Sequence, residues 1–143
     1  MLPIVLDGYF RPFAYHVGHS RLVIRSWAGR DDEEDVAVYF RGVLAVQLSS
    51  SYRPLVLDHA GPAQRAAMIS FAQVPARHQD RLLHLAVSSG STPGYVLCSS
   101  ASVVAIDRRI TAGRFPPEPP DGSRRLHQLR PATTTPVGPE RNE

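Results

Sequence analysis

The sequence predicts an α+β domain made mainly of antiparallel strands: a small sandwich or rolled sheet of six to seven strands, at most one short helix, and a disordered C-terminal tail. Three observations predict it. Apolar residues alternate with polar ones over short runs, the period of a half-buried strand. Turn residues (glycine, proline, serine, aspartate) separate those runs. Composition then changes near residue 113, where proline becomes frequent and large apolar residues scarce.

Taken in order, residues 20–27 read as the first clear strand, with Leu22 and Ile24 on one face and Arg21, Val23 and Arg25 on the other. A second long strand runs over residues 35–48. Val36, Val38 and Phe40 share a face in its first half, and Gly42 can host a bulge before Leu44, Val46 and Leu48. The charged, glycine-containing stretch 28–34 between them reads as a hairpin loop. Residues 55–58 form a third strand, and residues 82–88, 95–99 and 102–107 supply the rest. Residues 62–74 suit a short helix, with Pro62 in its first turn and Ala63, Ala66, Ala67, Ile69 or Ser70, and Phe71 as an apolar face. A strand through Met68, Ser70 and Ala72 is the alternative.

One domain of about residues 1–112 and a tail of 113–143 are expected. The tail holds seven of the 13 prolines, with only Phe115, Leu126, Leu129 and Val137 as larger apolar residues. Such a segment offsets little of its ordering entropy by burial. Pro116 to Pro120 has the composition of a polyproline ligand.

All 16 basic side chains are arginine; there is no lysine. This excludes lysine Schiff bases and a P-loop lysine, although arginine-rich coding bias produces the same composition. Five of the 13 acids stand together at residues 31–35. Outside that run, residues 1–112 hold 11 arginines against Asp7, Asp58, Asp80 and Asp107. The charge pattern is a basic body with one acidic tip. The lone Cys98 excludes an internal disulfide and sits among apolar and serine neighbours, as a buried small residue does. The first residues lack the basic start and apolar length of a signal peptide, so a cytoplasmic protein is expected.

The strings His19-Ser20-Arg21-Leu22-Val23-Ile24-Arg25-Ser26 and Val36-Ala37-Val38-Tyr39-Phe40-Arg41-Gly42-Val43 belong together with Leu55-Val56-Leu57-Asp58 and Gly94-Tyr95-Val96-Leu97-Cys98. In these the chain resembles small β-rich proteins of actinobacteria. More loosely, it is similar to the small β-sheet immunity proteins encoded beside polymorphic toxins. The resemblance covers about residues 13–107. It implies a binding module rather than an enzyme and carries no site residue with it.

Three functional readings follow. The first is a small non-enzymatic protein-binding module of immunity or regulatory type. Its surface would be the acidic loop (Trp27 beside Asp31, Asp32, Glu33, Glu34 and Asp35) together with the aromatic segment at Tyr9, Phe10 and Phe13. Its partner would present a basic surface. Phe10 and Phe13 equally suit burial against a sheet edge. The second is a nucleic-acid or anionic-ligand binder using an arginine-lined sheet face at Arg21, Arg25, Arg41 and Arg53. Arg41 joins that face or opposes it according to the bulge at Gly42. The third is a histidine-based metal site or hydrolase at His16, His19 and His59, with Asp58 and Ser20 available to a triad. A histidine pair three apart shares a face on a helix but not on a strand. No Gly-x-Ser-x-Gly elbow or EF-hand loop occurs, and no cofactor is implied.

Overall fold

A computed structural model describes residues 2–26, 34–90, 93–111 and 116–131. Ten strands build two five-stranded antiparallel sheets. In chain order they are β1 (Ile4–Leu6), β2 (Phe10–His16), β3 (Arg21–Ser26), β4 (Glu34–Arg41), β5 (Ala45–Gln47), β6 (Leu55–His59), β7 (Leu83–Ser88), β8 (Gly94–Cys98), β9 (Ser100–Asp107) and β10 (Arg124–Leu129). One sheet has the order β1-β6-β7-β8-β5 and the other β10-β9-β4-β3-β2; we call them the first and second sheets. The helices are α1 (Pro62–Ala72), α2 (Ala76–Gln79) and α3 (Arg108–Thr111), with a 3-10 turn at Val17–His19.

The predicted class holds, but strands and helices outnumber the expectation. Two additional strands, β1 and β2, come from the N-terminal segment and edge the two sheets. Another arises because the long strand over 35–48 is split between sheets. The chain bends at Gly42, which takes a left-handed φ of +63°, a conformation costly for any residue with a Cβ. Beside it, Ser99 donates its hydroxyl and its backbone N–H to the Arg41 carbonyl at 3.0 and 2.9 Å. A Cβ on Gly42 would collide with that serine side chain. The partner strand bends at the same level: β8 belongs to the first sheet and β9 to the second, with Ser99 between them. Thus β4 pairs with β9 and β5 with β8 as two halves of one folded ribbon. Strands that change sheets at a bend are how stacked sheets make a corner.

The tenth strand departs most from the composition. Within the segment expected to be a disordered tail, β10 pairs antiparallel with β9, and Leu129 is buried against Ala101. A register shift between Arg125 and His127 lets both Leu126 and Leu129 reach the core, although they lie three residues apart. That bulge removed the strict alternation by which a strand is read.

The core fills the space between the sheets. Leu22, Ile24, Val38 and Phe40 face Leu55, Leu57, Leu85, Val87 and Val96, each at most 1% exposed. Phe10 joins them, and Cys98 is fully buried. Burial pushes the Cys98 thiol up to about 12, so it remains protonated at neutral pH. Helix α1 lies on the outer face of the first sheet. Met68 (0% exposed) packs with Ala45 and Leu97, whereas Phe71 is 73% exposed and Ala63, Ala66 and Ala67 are also exposed. The helix was legible but its buried face only in part: Ile69 packs as expected, beside Met68 and Ala72, whereas Ala63, Ala66, Ala67 and Phe71 face away. The helix closes on Gln73, in the left-handed conformation at φ 54°. No helix among the described residues is long and apolar enough to cross a membrane.

Candidate anion-binding clefts

Strand register decides which side chains share the outer face of the second sheet. Arg21 stands opposite Arg41, and Arg41 opposite Ser100. One row inward lie Val23, Tyr39, Ser102 and Gln128; the next holds Arg25, Ala37, Val104 and Arg125. Arg41 therefore joins Arg21 and Arg25 rather than opposing them. Arg53 does not belong to this face. It precedes β6, and its guanidinium stacks over Tyr9 at 5.0 Å from the ring centre.

The middle of this outer face is not open sheet. Val23, Ala37, Tyr39, Val104 and Ile106 form a second buried cluster. Residues 116–118 run beside it. Tyr39 donates its hydroxyl to the Pro116 carbonyl at 3.0 Å, and Glu118 pairs with Arg21 and, at 3.7 Å, with Arg41. This proline-rich stretch, placed by composition in the tail and similar in composition to a polyproline ligand, straps the chain's own sheet. Burial raises the Tyr39 pKa, partly offset by Arg25, so the phenol remains a donor.

Past the strap a polar cleft of about 390 Å³ remains. Arg41, Arg125 and Arg130 line it with Ser100, Ser102 and Gln128, and among the described residues no carboxylate lines it. Among the described residues neither Arg125 nor Arg130 has an ion-pair partner. Three guanidinium groups, hydroxyls and a carboxamide converge here, the donor set that holds a phosphate or carboxylate.

A second cleft of about 500 Å³ opens near the ends of β6 and β7. It is lined by His59, Arg65, Asp80 and His84 with Ala60, Leu82 and Leu83, and it shares Arg130 and Pro131 with the first. Arg65 approaches Asp80 at 3.9 Å, with both side chains exposed. His84 Nε2 is buried without a hydrogen-bond partner among the described residues. Burial, reinforced by Arg65 and opposed by Asp80, lowers the His84 pKa below its ordinary 6.5. The ring is neutral in the fold at pH 7, while the unfolded chain takes up its proton as pH falls through about 6.5. Stability from this residue is thus present above that pH and lost as the pH falls toward the lower folded value. Thermal unfolding of wild type and His84→Gln at pH 7.5 and about pH 5 checks this: the variant is expected to lose less of its Tm on acidification. An equal loss in both would assign the acid sensitivity elsewhere.

The remaining predicted residues scatter. Of the acidic run, Glu34 and Asp35 lie inside β4 rather than at a solvated tip. Glu34 pairs with Arg124 at 2.7 Å; Asp35, 3% exposed, meets Arg25 at 3.5 Å and Arg108 at 3.3 Å. Trp27, Asp31, Asp32 and Glu33 fall outside the described residues. Of the aromatic segment, Phe10 is core at 1% exposure, while Phe13 is 41% exposed beneath the Arg25 guanidinium, 5.4 Å from the ring centre. His16 ends β2 and His19 lies in the 3-10 turn, both exposed. His59 lies at the second cleft, and Asp58 accepts the His59 backbone N–H at 2.7 Å. No cluster of three or more metal-ligating side chains occurs among the described residues.

Sequence reasoning missed Arg125, Arg130, Gln128 and His84. The first three belong to the segment that composition assigned to a tail, where Leu126 and Leu129 were the available signal. His84 is one polar position in an alternating strand, and its cover by neighbouring elements has no local signature. No protein-family model, curated protein or solved structure matches the chain.

Proposed function

We propose that this protein binds an anionic ligand through the Arg41–Arg125–Arg130 cleft. One observation carries the reading: among the described residues, three arginines converge on a cleft that no carboxylate lines, and two of them have no ion-pair partner. Solvated surface arginines are ordinary on an antiparallel sheet. Convergence with serine hydroxyls in a concavity is what distinguishes a binding site from that background. The acidic run supports a basic protein partner less well, because Glu34 and Asp35 already pair within the chain.

The test is calorimetric titration of the full chain with inorganic pyrophosphate at ~50 and ~200 mM salt. Measurable binding at the lower salt that weakens at the higher is expected. Arg125→Gln and Arg130→Gln should each lower affinity about tenfold or more, the worth of one charge-assisted hydrogen bond. Absence of binding at ~50 mM salt would remove this reading.

A second reading rests on β2, an edge strand exposing Phe13 (41%) and Tyr15 (43%) beside Val17 (72%). Exposed aromatics on an open edge suit a protein partner, as in the immunity-type binding module that the sequence resembles. Unaltered affinity of Phe13→Ser/Tyr15→Ser for a captured partner would exclude that surface.

A further inference from the structure

Arg130 and Pro131 line both clefts, so the two open on either side of a shared wall. Their chemistries differ. The first offers guanidinium groups and hydroxyls. The second offers hydrocarbon from Ala60, Leu82 and Leu83, with the rings of His59 and His84. A bare anion satisfies the first and leaves the hydrocarbon of the second unused; an apolar molecule does the reverse. A ligand with both parts uses the whole surface.

We propose that the two clefts are halves of one site for a nucleoside phosphate, its phosphate held by Arg41, Arg125 and Arg130 and its base lodged in the second cleft. This rests on the anion-binding reading above. Each cleft falls within the roughly 300–1,000 Å³ common for small-molecule sites. A base needs a flat apolar wall and a few polar groups for its edge. Leu82 and the imidazoles supply the wall. Gln79, which also lines the second cleft, donates its amide to the Val74 carbonyl at 3.3 Å, leaving its oxygen to accept from a base amino group. Asp80, 70% exposed and loosely paired with Arg65, is a second acceptor. Neutral His84 also spares the ring the solvation that a charged imidazolium would demand against the face of a base.

Calorimetric titration of the full chain with ribose 5-phosphate and with each of four nucleoside monophosphates tests the assignment. At least one nucleotide should bind about tenfold tighter than ribose 5-phosphate, reflecting burial of the base. His59→Ala, an exposed position, and Leu82→Ala should bring nucleotide affinity down toward that of the sugar phosphate. Equal affinity for nucleotides and ribose 5-phosphate would overturn the two-part site while leaving the anion cleft standing. A nucleotide advantage insensitive to both substitutions would also overturn it, because the base would then lie elsewhere. Failure of every phosphate ester, and of pyrophosphate, would remove both readings.

Discussion

A chain ending at residue 112 is expected to lose its cooperative unfolding transition. Truncation removes β10 and with it Leu129, 7% exposed, and the Leu126 contact with the main core. It strips the ladder from one edge of β9, where five residue pairs are in register. It also removes the 116–120 strap beside the buried cluster around Tyr39 and Val104. Deleting one buried leucine side chain typically costs about 2–5 kcal/mol, and each lost hydrogen bond about 1 kcal/mol. The sum reaches the roughly 5–15 kcal/mol that holds a whole domain together. Far- and near-ultraviolet circular dichroism, with urea unfolding, reads the outcome. Strand signal without fixed aromatic signal and with a broad transition is expected. Leu129→Ala is the milder arm, at about 3 kcal/mol. A truncated chain that unfolds as sharply as wild type, at the same urea concentration, would show that β10 contributes little.

Asp35→Ala should destabilise the fold by about 3 kcal/mol, near the lower end of what removing one partner from a buried ion pair costs. Asp35 is 3% exposed and lies between Arg25 and Arg108. Burial lowers the Arg25 pKa, Asp35 opposes that shift, and the Arg108 charge adds to it. Without the carboxylate, two like charges face each other with the counter-charge between them gone. For a chain of this size the loss corresponds to a Tm decrease of about 10 °C. The adjacent acid provides the control. Glu34 pairs with Arg124 at the surface, both side chains well exposed, so Glu34→Gln should cost no more than ~1 kcal/mol. Urea midpoints for the two variants make the comparison, and similar losses at both positions would contradict the assignment of Asp35 as a structural pair.

The difference between those neighbours marks where sequence reading ran out. As composition, residues 31–35 are five acids in a row and look uniformly solvated. Once β3 and β4 pair, alternation sends Asp35 to the outer face opposite Ile106, beside two arginines, one of them 73 residues later in the chain. Phe10 and Phe13 illustrate the same limit. Both were eligible for burial, but they stand three apart on β2, so alternation takes Phe10 into the core and leaves Phe13, the residue passed over by the register shift between Pro12 and Ala14, outside. Of the three cleft arginines only Arg41 was a candidate, and its side of the sheet hung on the bulge at Gly42; Arg125 and Arg130 come from β10 and the residue after it, in a proline-flanked segment that declares itself only by pairing with β9.

By itself, then, the sequence determined the antiparallel class and six of the strands, favoured a helix over a strand at residues 62–74, and marked Gly42 as the place for an irregularity. Each of these depends on local periodicity or on the conformational freedom of one residue. The tertiary structure decided the division of the ribbon between two sheets, the recruitment of β10, the burial of Asp35 and the convergence of the arginines. These depend on pairings between segments far apart in the chain, whose register and bulges leave no periodic mark on either partner alone.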